Sequence, residues 1–535
     1  MANVEEILRG HVTLEVECVD RLYLNGYIPA LATPGGLVTF MREHMKKPIP
    51  SPAVLGRVTA DFRARVKEFA EHGGIPWVEF KHGERKDETA NRIRQRRGVR
   101  DGVVFVGVSQ EKTKSYSGKP TPGRPGWFEF ERDKTVYVNQ YYFYVDDVEF
   151  GAAFLKVCSY APWALKLCLN GHEWAKRQAE KKRLGFQALD NGFLSCGRPE
   201  TLQRICDRLG PADIEGFLSR WLRRLPMPLS EEDRRAGYGW KLSIWQMEVS
   251  LTQIFDQPVR GREFFEEVIR DNLDLGRPDR VQLVFEKRIT KSTPGSFRTR
   301  VIQEGVSPSL HIEYRSCDLK QYFKEGRGLR TETTFRDPGD FGINKGLSNF
   351  AYLQELGRHI NRRLLEVERV SQNCGLSADS IQRVVQPTVT EGGQKAPGLR
   401  FGDPRVMALM LALTLFTHLL NGFRNHDVRH LVSDLLGPRA SPYGTNQATY
   451  DLRRLTRKGL IFRQEGSNRY FLTPYGWKLA RLFARLDARI FRPADRALHP
   501  DGIVEPHPRL SAALDKVDAQ LDLLIDQAFP HRTAA

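Results

Sequence analysis

The sequence has few cysteines and lacks the motifs that mark the commonest cofactor enzymes. Seven cysteines stand among 535 residues, widely spaced and with no CxxC pair. That argues against a structural zinc ribbon or a disulfide framework and fits a reducing compartment. No GxxxxGK[ST] or GxGxxG stretch occurs, which disfavours P-loop hydrolases, kinases and Rossmann dehydrogenases, and no nucleotide cofactor is expected. A GxSxG elbow is missing too. "HEWAK" is not the HExxH zinc motif, because Lys176 stands four residues after His172. The start, "MANVEEILRG", is too polar for a signal peptide. The most apolar run, Val406 to Leu420, is shorter than the roughly 20 residues a bilayer needs. A cytoplasmic protein without a membrane partner is expected. Acid is in deficit: 65 Asp and Glu against 82 Lys and Arg leave a net charge of +17. Such a surplus attracts polyanions, nucleic acid first among them.

The length predicts several domains. The expected fold is α/β and α+β, in separate parts. Residues 1–172 read as a mixed-sheet domain that binds or processes nucleic acid, with strands at "VTLEVECVDRLYLNGY", "GIPWVEF", "DGVVFVGVSQ", "KTVYVNQYYFYVDD", "AAFLKVCSYAP" and "ALKLCLNG". "KSYSGKPTPGRPG" reads as a loop. Residues 173–279 read as helical, 280–370 as an antiparallel sheet with a long helix, and 371–399 as a linker. A winged-helix unit is expected over 400–495 and a tail helix over 496–535. No internal repeat is apparent.

Candidate chemistry falls in six places. In "ECVDRLYLN", Asp20 sits on a strand. In "GVSQEKTKSY", Glu111 and Lys112 follow an apolar strand, where ligands of open sheets collect. Asp20 and Glu111 are the expected metal ligands, for Mg²⁺ or Mn²⁺, as acids on neighbouring strands hold metals in nucleases. "NGHEWAKRQ" opens a helix after a strand, with His172 as a general base, Glu173 as an acid or ligand, and Lys176 as a nucleic-acid contact. "FKHGERKDETANRIRQRRGVR" is the densest basic stretch, and Arg85, Lys86, Arg94 and Arg97 read as phosphate contacts. Tyr142, in "VNQYYFYVDD", is placed to stack on an unpaired base. Lys320, Lys324, Arg327 and Arg330 form a further basic stripe, expected to contact a nucleic-acid backbone. The stretch carrying it, "HIEYRSCDLKQYFKEGRGLRTETTF", distantly resembles strands of rolling-circle replication initiators, although their His-hydrophobic-His motif is missing.

Near the end, "TNQATYDLRRLTRKGLI" predicts a helix with Arg453, Arg454, Arg457 and Lys458 on its polar side, followed by a hairpin around "EGSN". "LRRLTRKGLI…RYFLTPYG" resembles a winged helix-turn-helix domain. That resemblance implies a recognition helix in the major groove, and a wing whose Arg469 meets the backbone. The stretches "YYFYVDD", "NGHEWAKRQ", "DLKQYFKEGRGLRTETT", "LRFGDPRV" and "TYDLRRLTRKGLI" also resemble an uncharacterised bacterial protein family. The resulting expectation is a DNA-binding protein that acts as a metal-dependent nuclease or mobile-element enzyme. Two other readings stand beside it: a non-catalytic, dimerising regulator or scaffold, and a ribonucleoprotein that recognises DNA through RNA.

Overall fold

The computed structural model describes residues 4–81, 83–274, 281–284, 298–304, 307–314, 317–371, 378–390, 392–414, 422–436 and 443–487, with 516 and 520. The fold is mixed α/β and its centre is one large mixed sheet. In chain order the strands are β1 (Val12–Tyr27), β2 (Trp77–Glu79), β3 (Gly102–Pro120), β4 (Phe128–Asp147), β5 (Gly151–Cys158), β6 (Leu165–Asn170), and a separate hairpin of β7 (Phe186–Leu189) and β8 (Gly192–Cys196). Then come β9 (Lys241–Phe255), β10 (Val281–Val284), β11 (Arg298–Glu304), β12 (Ser307–Tyr314), β13 (Cys317–Lys324) and β14 (Gly328–Phe335). Twelve strands join in the order β10-β11-β12-β13-β14-β9-β1-β6-β5-β4-β3-β2.

The sheet expected within residues 1–172 and the one expected over 280–370 are therefore one sheet, joined where β1 pairs antiparallel with β9. Lys241–Phe255 lies in the stretch read as helical, yet it is a strand at the centre of the sheet. The loop expected at Lys114–Gly126 is also shorter. Pairing of β3 with β4 continues out to Pro120 opposite Phe128, because the ladder supplies each strand's hydrogen bonds beyond the reach of the turn residues.

The strand order reads alike from the centre outward on both sides. β1 leads through the helix Pro52–His72 to β2, a short edge strand parallel to β3. The chain then returns inward through the antiparallel β3-β4-β5-β6. β9 leads through the helix Val259–Asp274 to β10, a short edge strand parallel to β11, and returns through the antiparallel β11-β12-β13-β14. Each returning meander ends beside its own long strand and feeds a helix, Gly171–Lys181 after β6 and Phe350–Ser371 after β14. The chain thus contains two copies of one topology, antiparallel at the seam, although no repeat is visible in its residues.

One side of the sheet carries the main core. Leu155, Val157, Leu165, Leu167, Leu169 and Val249 pack there with Phe62 and Val66 of the helix Pro52–His72. Along β5 and β6 buried and half-buried residues alternate, as expected of strands with one dry face. The other side is covered over β3-β4-β5 by the helix Lys86–Arg97, where Ala90 and Ile93 meet Phe105, Tyr142, Tyr144 and Phe154. After the sheet come the helices Pro404–Leu413, Asn425–Leu436 and Thr445–Arg457, a hairpin of Ile461–Arg463 with Tyr470–Leu472, and the helix Pro474–Leu486. Part of the Val406–Leu420 run, and the 496–535 tail apart from the helical 516 and 520, fall outside the described residues. No described helix is long and apolar enough to cross a membrane.

Candidate functional site at the sheet seam

At the seam, Val19 pairs with Val249 and Leu22 with Met247, so Asp20 and Arg21 together face Glu248. This is a β-bulge, a device that re-aims side chains and is common at functional sites. On β14 Thr334 pairs with Glu248, and Glu332 with Ser250. Residues paired directly across an antiparallel ladder share a face, so Glu332 and Glu248 emerge together. Three adjacent strands thus deliver Asp20, Glu248 and Glu332, with carboxylate oxygens all within 4.8 Å of one another. Oxygen ligands at that spacing suit a hard divalent cation such as Mg²⁺ or Mn²⁺.

The three acids are not equivalent. Burial pushes Asp20 upward, but Arg330 and Asn191 outweigh it and hold the carboxyl at about 2. Arg330 Nη2 donates to Asp20 Oδ2 at 2.5 Å, and Asn191 Nδ2 donates to Oδ1 at 2.5 Å. Glu248 is pushed up to about 7 by burial, then by Glu332 and Asp20, and its amide contact is Gln246 Nε2 at 2.7 Å. Burial and the Asp20 charge raise Glu332 as well, and Tyr322 donates to it at 3.3 Å. The partners of Asp20 thus favour its ionised form, while burial and neighbouring acids favour the neutral form of Glu248. Such a divided set is what acid–base or metal chemistry uses.

Arg330 organises the cluster. It is fully buried and also donates to the Asn191 carbonyl at 2.5 Å and to His172 Nε2 at 2.6 Å. The expectation that it contacts a nucleic-acid backbone is thereby corrected: the guanidinium is the internal counter-ion of Asp20. His172 sits in the first turn of the helix Gly171–Lys181, with Ser250 Oγ 3.0 Å from Nε2. Being buried, with Nε2 taken by Arg330, it positions the arginine, and the general-base role expected for it does not fit this geometry. The helix can start there because Gly171 has no side chain. A Cβ would lie 2.1 Å from the Val19 carbonyl oxygen. Asn170 caps the helix by accepting from the Glu173 amide. Glu173 accepts from Lys176 at 2.7 Å, and Lys176 donates to the Leu189 and Asp190 carbonyls at 2.9 and 2.8 Å. Lys176 therefore anchors the β7-β8 tip that carries Asn191, instead of meeting phosphate.

Glu111 does not join Asp20, because β6, β5 and β4 stand between their strands. It takes hydrogen bonds from Lys86 at 2.7 Å, from Lys156 and from Tyr142. Burial raises this carboxyl, but those donors bring it down to about 2. The structure thus does not bring the expected pair together, and the acids gathered with Asp20 are Glu248 and Glu332. Neither of those two was singled out, since only strand pairing brings them together. Lys112 points away from Glu111 on its strand and stands 5.4 Å from the Tyr137 ring. Tyr142, expected to stack on a base, is buried, with Lys86 4.1 Å above its ring.

The remaining cations divide between internal and exposed roles. Arg85 pairs with Glu88 on the surface, and Arg97 donates to the Val104 carbonyl. Arg94 is partly buried, and burial lowers its pKa. Lys320 lies 4.4 Å over Tyr322, and Lys324 pairs with Glu325. Arg327 lies in the turn before β14, its amide donating to the Lys324 carbonyl. In the helix Thr445–Arg457, Arg454 donates to the Pro397 and Gly398 carbonyls, Arg457 to the Lys395 carbonyl, and Lys458 just beyond to those of Arg383 and Gln386. These three cations fasten the preceding segment, whereas Arg453 is exposed. Arg469 lies at the hairpin, where its amide donates to Ser467.

No family model, curated protein or solved structure matches the chain at a significant level.

Proposed function

We propose that the chain processes nucleic acid, with phosphodiester chemistry at Asp20, Glu248 and Glu332 supported by Mg²⁺ or Mn²⁺. The observation that carries this reading is the gathering of three unlike carboxylates from three adjacent strands within 4.8 Å. A cation held there would polarise a phosphoryl oxygen and activate water. In this reading Glu248, hydrogen-bonded by the Gln246 amide alone, is the carboxylate least tied to the protein. Asp20, tied to Arg330 and Asn191, holds a fixed negative charge. The surplus of 17 positive charges supplies long-range attraction for a polyanion.

The C-terminal helices and hairpin fit the winged-helix reading. We assign duplex recognition to the exposed side of the helix Thr445–Arg457, where Asn446, Tyr450 and Arg453 border a cavity of about 400 Å³. The other cations of that helix are committed to carbonyls. A second reading is favoured by the Arg330–Asp20 pair, which already neutralises part of the cluster. In it the seam is structural, and the chain is a non-catalytic DNA regulator or an RNA-bound reader.

One experiment separates the two. The purified chain is incubated with labelled single- and double-stranded DNA and RNA, with Mg²⁺, with Mn²⁺ and with EDTA. The nuclease reading expects metal-dependent cleavage that Glu248→Gln lowers by roughly 100-fold or more, with melting temperature retained. Absence of cleavage on all four substrates in both metals rejects it and leaves the regulator. A discrete RNA that survives high-salt washing identifies the ribonucleoprotein.

A further inference from the structure

Next to the acid cluster the sheet carries an aromatic group that neither core uses. Between Tyr23–Gln246 and Leu24–Ile244 the β1-β9 register slips by one residue, which leaves Trp245 as the extra residue on β9. Its side chain is 40 % exposed although its strand is at the centre of the sheet. Tyr23 meets its ring edge-on, with centroids 6.1 Å apart at 81°. Lys166 of β6 lies 3.7 Å over the same ring. Around them stand the exposed Arg21, Lys241 and Tyr27 of β1 and β9. Trp245 is three residues from Glu248, about 10 Å along a strand.

We propose that Tyr23, Trp245 and Lys166 bind an unpaired nucleobase of a single-stranded DNA or RNA, and so lead the strand's backbone to the acid cluster. This rests on the nucleic-acid reading of the seam and names its substrate class. An exposed Trp at a bulge offers a flat apolar surface, and a base stacks on such a surface whatever its identity. Lys166 and Arg21 supply the positive charge that a phosphate on either side of that base requires. In a duplex the base faces are covered by their neighbours, so this platform selects single strands. The aromatic role expected of Tyr142 passes to Tyr23 and Trp245, since the helix Lys86–Arg97 covers Tyr142 and Tyr144.

The test uses the full chain in EDTA, so that binding is read apart from cleavage. A fluorescent single strand of mixed sequence and the matching duplex are titrated against wild type, Trp245→Ala and Trp245→Phe. A single strand bearing 5-iodouracil is photo-crosslinked in parallel and the adducts are mapped by mass spectrometry. Exposure of Trp245 makes both variants compatible with the fold, and a melting curve checks this. The expected result is a crosslink at Trp245 or Tyr23. Single-strand binding should weaken tenfold or more in Trp245→Ala, recover in Trp245→Phe, and change little for duplex. Crosslinks confined to other segments overturn the platform, as does equal weakening for duplex and single strand. Both of those results leave the seam's chemistry standing. Absence of wild-type binding to either nucleic acid strikes the functional reading itself.

Discussion

Glu368 is buried in the helix Phe350–Ser371 and receives Gln321 Nε2 at 2.9 Å. Burial pushes its carboxyl up to about 8, against the lowering effect of Gln321. A carboxyl raised on folding stabilises the native state in its protonated form. That contribution is complete below the unfolded value near 4.5 and is lost as pH climbs toward 8. Glu248, raised to about 7, adds a loss over a narrower window. Glu368→Gln is therefore expected to flatten the fall in stability between pH 5 and 8, gaining on the order of 3 kcal/mol at pH 8. Urea melts at the two pH values measure this. Arg330 works in the opposite sense. Arg330→Leu strands the ionised Asp20 in a buried site, and a loss of about 3–5 kcal/mol is expected. Asp20 titrates at about 2 only because its partners are present, so the same melts on Arg330→Leu with Asp20→Asn should recover much of that loss. At this scale the sequence was partly legible. Asp20 and His172 stood out by type and setting. Glu248 and Glu332 did not, because a glutamate within a strand draws notice only once its cross-strand neighbours are known.

At the scale of elements, legibility followed periodicity. The alternation along "AAFLKVC" and "ALKLCLN" marked β5 and β6, and the apolar stripe of "LSNFAYLQELGRHINRRLLEVERV" marked the helix Phe350–Ser371. "KLSIWQMEVSLTQIF" escaped notice for physical reasons. The extra residue at Trp245 breaks its alternation, and from Val249 to Phe255 every residue is buried. A strand enclosed on both faces loses the pattern that would announce it. The basic helix Thr445–Arg457 shows the converse: its charges were legible but their partners were not. Arg454, Arg457 and Lys458 bind carbonyls of residues 383–398 and hold that segment down. Replacing Arg454 and Lys458 by Ala should speed limited proteolysis between residues 378 and 399. The sheet's melting transition should shift little, because these bonds lie at the surface. An unchanged cleavage rate would show that other contacts hold the segment.

For the whole molecule, the seam decides what folds with what. β1 and β9 pair along nearly their entire length, from Val12 opposite Phe255 to Tyr27 opposite Lys241. A fragment ending at residue 240 would expose the whole inner edge of β1, an open template for aggregation. It is expected to be insoluble, or to show none of the protection from hydrogen exchange that β1 has in the full chain. Coexpression with residues 241–535 should restore both. The single sheet also explains why separate domains were expected. The halves lie far apart in sequence, and their shared topology left no residue pattern from which to infer their union.

The doubled topology has a consequence for how such a cluster can arise. Two identical subunits meeting on a two-fold axis must present the same residue twice, so an acid at the axis faces its own image. Linking the copies in one polypeptide removes that constraint and lets the two sides mutate independently. Here one side holds Asp20, bonded to Arg330, and the other holds Glu248, bonded to the Gln246 amide and raised by burial. A single polypeptide thus permits two unlike acids where exact two-fold symmetry would require a matched pair.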